Sequence, residues 1–140
     1  MSRSFITGHI FKIFGLCIKK LLLMNLEELR DYCLTKKGAE ESFPFDNETL
    51  VFKVEGKMFL LLSLNSKPLR FNVKCEPNRA IELREMYPCV IPAYHMNKRH
   101  WNTIICNDTV PKKVLSSWID DSYSLVITSL SAKIRKLKGY

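Results

Sequence analysis

Apolar positions change period several times along the chain, and each change predicts an element. Leu26, Leu29 and Cys33 recur at helical spacing, so a helix is expected over Leu26–Lys37, ended by Gly38. Asn25 is placed to cap it, with Glu28 three residues on as in a capping box. "ESFPFDNE" then reads as a turn-rich connection. "TLVFKV" and "MFLLLS" flank Glu55-Gly56-Lys57 and predict a β-hairpin. "LRFNVK" alternates strictly, sending Leu69, Phe71 and Val73 to one face and Arg70, Asn72 and Lys74 to the other.

Pro77 opens a second helix, with Ala80, Leu83 and Tyr87 on its buried side, and Pro88 stops it. "YHMNKRHW" (Tyr94–Trp101) leads into the strand "WNTIIC". Asp108 is expected to cap a third helix that has Pro111 in its first turn and Val114, Leu115, Trp118 and Ile119 on its face. In the last segment Val126, Ile127 and Thr128 favour strand. Tyr123, Val126, Leu130 and Ile134 keep helical spacing, however, and a fourth helix is the expectation. The resulting order is a helix, three strands, a helix, one or two strands and two helices. It describes an α+β domain, an antiparallel β-sheet with helices packed on one face.

At 140 residues the chain is one domain with enough length for a sizeable core. Its five cysteines are widely spread with no CxxC pair, which fits reduced, buried thiols in a cytoplasmic protein better than a disulfide framework. The net charge of +8 is unevenly placed. Residues 1–23 carry four basic side chains and no acid, and so do residues 131–140, a basic C-terminal tail. The body between them has 14 of each sign. Within it, Glu27–Glu48 carries seven acids against three bases, whereas Leu50–Lys74 carries five bases against one acid.

The first 23 residues are apolar but broken by His9, Lys12, Lys19 and Lys20, too interrupted for a spanning helix. The clean helix start after Met24 points to an extension outside the fold and to Met24 as the start of a single domain, residues 24–140. An interfacial or partner-binding helix is the alternative.

No catalytic constellation stands out. None of the five glycines falls in a phosphate-loop spacing. His95 and His100 alternate faces on a regular strand, and no carboxylate lies nearby in sequence to complete a metal site. Cys106 with either histidine imitates a thiol nucleophile and base, but without a visible orienting group. The carboxylates Glu27, Glu28, Asp31, Glu40 and Glu41 fit a solvated face. What is left is a basic, partly aromatic surface, and Lys and Arg on a wet sheet face commonly serve only to prevent edge association.

"KCEPNRAIELREMYPCVIPAYHMNKRHWNTI" (Lys74–Ile104) resembles the signature of MmcQ/YjbR-like proteins, and "DDSYSLV" (Asp120–Val126) resembles the same family's Asp-x-Ser-Tyr element. The resemblance implies a fold similar to CyaY, the bacterial frataxin. It also implies a cytoplasmic, "double-wing" protein whose two β-hairpins engage DNA. One wing would be the hairpin at Glu55-Gly56-Lys57 and the other Pro92–Trp101. Iron binding does not follow from the shared fold. The expectation is a noncatalytic DNA-binding module without metal or cofactor. Lys53, Lys57, Arg70, Lys74, Lys98 and Arg99 would hold phosphates, and Asn72, Asn97 and His100 would supply further donors. A protein partner or acidic ligand on the same face is the alternative, and an enzyme centred on His95, His100 and Cys106 is the third.

Overall fold

The computed structural model describes Met24–Tyr140; residues 1–23, and with them the expectation of an extension or interfacial helix, lie outside the described residues. Helix α1 (Leu26–Leu34) starts at the expected capping box. The Glu28 N–H donates to Asn25 Oδ1 and Asn25 Nδ2 donates to Glu28 Oε1, each at 2.8 Å. The helix stops three residues before Lys37, and the chain turns at Gly38 with φ +71°. Glycine is favoured there, since the backbone is in the left-handed region and a Cβ would stand 2.1 Å from Tyr140 Oη, which would have to move.

A strand that the apolar pattern did not announce follows, β1 (Ala39–Ser42). Strands β2 (Thr49–Val54) and β3 (Lys57–Ser63) form the expected hairpin, closed by Glu55 and Gly56, both at positive φ. Strand β4 (Leu69–Lys74) precedes helix α2 (Pro77–Met86), whose Glu76 cap accepts the N–H groups of Asn78 and Arg79. A short β5 (Val90–Pro92) and β6 (Trp101–Cys106) complete a six-stranded sheet of order β1-β2-β3-β4-β6-β5, every pair antiparallel. Its edges are blunt: β1 has four residues including Glu40 and Glu41, and β5 has three and ends at Pro92.

The last part of the chain departs from expectation. The two expected helices are present, but the break between them lies at Leu130–Ser131, so that α3 (Lys112–Ser129) runs on through Tyr123 and Val126, and Pro111 rather than Asp108 takes its cap position. Asp108 instead sits in a turn at φ 65°. Leu115, Trp118, Ile119, Ser122 and Val126 form one buried stripe against the sheet, and that packing overrides the strand preference of Val126–Thr128. Helix α4 (Ala132–Lys138) then begins at Ser131, whose hydroxyl accepts the Ile134 N–H. The basic segment after Ser131 is thus a helix, and Tyr140 beyond it donates to Glu55 at 3.0 Å.

Helices α1, α2 and α3 pack on one face. Leu50, Phe52, Leu60, Leu62, Phe71, Val73 and Ile104 meet Leu29, Ala80, Leu83, Leu115, Trp118 and Ile119 in the main core. Each large side chain buried this way contributes about 1.5–3 kcal/mol. Cys33, Cys75, Cys89 and Cys106 are free and buried. Among the described residues no helix is long and apolar enough to cross a membrane.

Candidate functional site

The face of the sheet without helices carries its own apolar cluster: Val51, Leu61, Ala93 and Trp101, with Met58 and Met96 packed against it. Register explains the set. Val51 pairs with Leu61, Lys53 with Met58 and Lys74 with Trp101, so each pair shares the open face. The pairing shifts between Phe52 and Lys53, leaving Phe59 as the extra residue of a bulge. The bulge lets Phe59 and Leu60 both enter the main core while Met58 faces outward beside Lys53.

Two loops, one from each side of the sheet, rise over this face. The β1–β2 connection brings Phe45 and Asp46, and the β5–β6 connection brings His95, Met96 and Asn97. Between them lies a groove of about 620 Å³ floored by Met58, Leu61 and Asn72, with Thr49 and Ser63 at one end. Phe45 and Met58 also line an adjoining space of about 550 Å³, bounded by Lys53, Lys57, Lys74, Trp101, Val126 and Ser129. One trough therefore runs from a polar end to a lysine-rich end, with an aromatic wall between. Phe45 leaves 65% of its surface exposed, whereas Trp101 leaves 8%.

Specific bonds fix the walls. Asp46 accepts the N–H groups of Glu48 and Thr49 at 2.8 and 2.7 Å, and these bonds hold its carboxyl below the usual carboxylate range. On the other side Asn97 Oδ1 accepts the Arg99 N–H at 3.0 Å, folding the loop on itself. Thr103 Oγ1 donates to Asn72 Oδ1 at 2.6 Å, and Asn72 Nδ2 lies 3.6 Å from Met96 Sδ, tying the loop to the sheet. Arg84 of α2 clamps the same loop from behind: Nε donates to Asn102 Oδ1 at 2.7 Å, and Nη2 to the Lys98 carbonyl. Asn102 is fully buried and donates in turn to the Ala80 carbonyl.

The sequence candidates separate on this frame. Lys53, Lys57 and Lys74 converge at one end of the trough, and no carboxylate lines that end. Glu40, paired with Lys53 across β1, instead borders a separate pocket with Glu55, Lys138 and Tyr140. Lys57 reaches the carbonyl and hydroxyl of Ser129 at 3.3 Å, beside the C-terminal end of α3. Asn72 and Asn97 line the other end with His95. Arg70, Lys98 and Arg99 are exposed outside both spaces; Lys98 Nζ stands 5.0 Å from the centre of the Tyr94 ring. His100 is half-buried, and its carbonyl accepts the Cys75 N–H at 2.7 Å. Of the two expected wings, the loop before Trp101 is a groove wall. The tip of the β2–β3 hairpin is held down by Lys138 and Tyr140 on Glu55.

The pairing of Cys106 with His95 loses its geometry. Cys106 lies in the main core and burial pushes its thiol up to about 12, while His95 lines the groove on the open face. Among the described residues no group of three or more His, Cys, Asp or Glu side chains could hold a metal ion. Sequence reading missed Phe45, Met58 and Leu61 as groove residues and Arg84 as the clamp on the β5–β6 loop. The only hint was "FPF", two aromatics around a proline in an otherwise polar turn.

The sequence profile of the YjbR family matches residues 34–125. The chain belongs to the YjbR family. It is 32% identical over 114 residues to the protein YjbR of Escherichia coli K12, covering 81% of this chain and 97% of that one. It is 36% identical over 98 residues to YbdF of Escherichia coli O157:H7, covering 69% and 80%. Both relatives are described as uncharacterized, so membership assigns no activity. Protein DR2400 of Deinococcus radiodurans, a DUF419 domain, superimposes with a TM-score of 0.80 at 37% identity, covering 84% of this chain and 89% of that one.

Within this YjbR-family frame the "DDSY" element has a visible structural task. Ser122 donates to the Phe59 carbonyl at 2.5 Å and accepts the Lys74 N–H at 2.8 Å. The β3–β4 ladder runs only to Leu60 and Val73, so the hydroxyl joins the two strands where their pairing ends. Asp120 accepts from Tyr32 at 2.6 Å and from Lys36, and Tyr123 donates to the Lys37 carbonyl at 2.6 Å. These bonds fasten α3 to α1 and to the sheet and set Lys74 at the lip of the trough.

Proposed function

We propose that this YjbR-family domain is a noncatalytic module that binds nucleic acid on the open face of its sheet. The observation that carries the reading is the convergence of Lys53, Lys57 and Lys74 beside the exposed Phe45, with no carboxylate lining that end. Phosphates demand positive charge and hydrogen-bond donors, and three ammonium groups at one trough end supply both. Arg70, Lys98, Arg99 and His100 would extend the field from outside the trough, and Asn72 and Asn97 would offer donors inside it. DNA is the natural probe. The basic α4 lies beyond the trough and would add affinity without specificity.

The test is fluorescence anisotropy of labelled DNA with the full chain across a salt series. Changing Lys53, Lys57 and Lys74 together to Ala should weaken binding strongly and lower the log–log salt slope by roughly two to three. The triple Arg70, Lys98 and Arg99 variant should have the smaller effect. Binding unchanged in the lysine variant would refute the assignment.

A second reading has one observation in its favour: the middle of the trough, Met58, Leu61, Met96 and Phe45, is apolar. An acidic protein segment with an apolar anchor would fit those groups, as apolar interface centres ringed by charge do. Competition of such a peptide with DNA for the same lysines would support it.

A further inference from the structure

The trough has a shape that bears on which nucleic acid enters it. A duplex is read by an element that protrudes into a groove, usually a helix or a two-stranded ribbon. Here the relation is inverted: the β1–β2 and β5–β6 loops stand up on both sides and the receptive surface is sunk between them. Lys53 and Lys74 are half-buried along the sunken end rather than raised on a ridge.

The lining also has the chemistry of an unpaired base rather than of a backbone alone. A base is a plate with apolar faces and polar edges. In a duplex its faces are already stacked and its edges already paired. Phe45 presents an uncovered ring at one wall, opposite Met96, over a floor of Met58 and Leu61. Thr49, Ser63, Asn72 and Asn97 put hydroxyl and amide groups around that floor, where the edge of a plate-like ligand would meet them. The lysines follow directly, sharing Phe45 and Met58 with the apolar part. Aromatic platform and cationic track side by side is the general requirement for binding single strands.

We infer that the trough takes a single strand, with an unpaired base stacked on Phe45 over Met58 and Leu61 and the adjoining phosphates at Lys53, Lys57 and Lys74. This rests on the nucleic-acid reading of the open face and sharpens it to one strand form. Recognition on this geometry is tolerant of sequence, because every base has a face to stack, with a modest preference set by the amide and hydroxyl rim.

The experiment compares labelled oligothymidylate with a labelled duplex carrying the same number of phosphates, both titrated with the full chain at one low salt concentration. The single strand should bind at least tenfold more tightly. F45A should lower single-strand affinity by about tenfold to a hundredfold and leave duplex affinity unchanged, and F45W should restore it. Because Phe45 is exposed, a thermal melt of F45A should match the parent and separate loss of stacking from loss of fold. Equal affinity for both forms with F45A silent would overturn the single-strand inference while leaving the lysine assignment intact. Absence of binding to either form would overturn both. Displacement of the strand by an acidic peptide, with F45A weakening the peptide but not the strand, would assign the aromatic wall to a protein partner and refute the stacking role.

Discussion

The two faces of the sheet contain apolar residues of similar kinds but differ in how those residues are finished. Behind the sheet, Phe52, Leu60, Phe71 and Ile104 are sealed by helices and fully or almost fully buried. In front, Val51, Leu61 and Trp101 are covered only by one another, two methionines and a loop. The covered face is held by packing against α1, α2 and α3. The open face has its shape held by polar bonds around the rim, at Asp46, Asn72, Asn97 and Arg84, and over the buried Val51, Leu61 and Trp101 it leaves Met58, Met96 and Phe45 accessible. A surface built this way keeps a fixed outline without a fixed occupant.

The largest expected contrast is between paired truncations across the sheet. Phe71→Ala should lower unfolding free energy by about 3–5 kcal/mol, the range for emptying a well-packed aromatic site. Leu61→Ala, one strand away on the other face, should cost roughly 2 kcal/mol or less, because a site open to solvent leaves no sealed cavity. Urea titrations of both variants measure the difference. Equal losses would mean that the front cluster is a second core rather than a receptive surface.

Ser122→Ala should cost about 1–3 kcal/mol, since the Phe59 carbonyl and the Lys74 N–H both lose their partner. It should also disturb the front face from behind, visible as changed amide shifts at Lys74 and Trp101 in NMR spectra. A stability loss with those signals unmoved would show that Ser122 supports the core alone.

The smallest effect is a local one at Asp46. Its carboxyl is held low in the folded chain by the N–H bonds from Glu48 and Thr49. A depressed acid stabilises the fold above its unfolded value near 4, and that contribution disappears as pH falls through the lower folded value. The Glu48 and Thr49 amide signals should therefore shift together below about pH 4 while those of β3 and β4 stay in place. Movement of the whole sheet in that range would mean that the loop and the core melt as one unit.

The back of the sheet was readable in the sequence because "LRFNVK" alternates and the helix faces recur at regular spacing. The front was not. In "TLVFKV" and "MFLLLS" apolar residues run consecutively, so periodicity alone could not separate Val51 and Leu61 from Phe52 and Leu60, and the bulge at Phe59 shifts the phase again. A wet, cationic face was the expectation from Arg70, Asn72 and Lys74; the structure shows an apolar centre with cations at one end. Strand β1 was missed because "AEES" has no apolar rhythm. The break between the last two helices was misplaced because it depends on Ser131 starting a new cap rather than on any change of spacing. Of the candidate residues, Lys53 and Lys74 share the open face through register, which is a property of pairing and not of any short motif, whereas Lys57, paired with Val54, faces the helix side and borders the same space from the hairpin end.

The blunt edges of the sheet limit how this protein can diversify. With β1 short and acidic and β5 closed by proline, a newcomer finds few main-chain groups to extend the ladder. Recognition must then pass through side chains displayed on a fixed frame. Substitutions at such positions can retune what is held without redrawing the backbone. Lineages sharing this architecture could accordingly drift apart in ligand while remaining superimposable in outline.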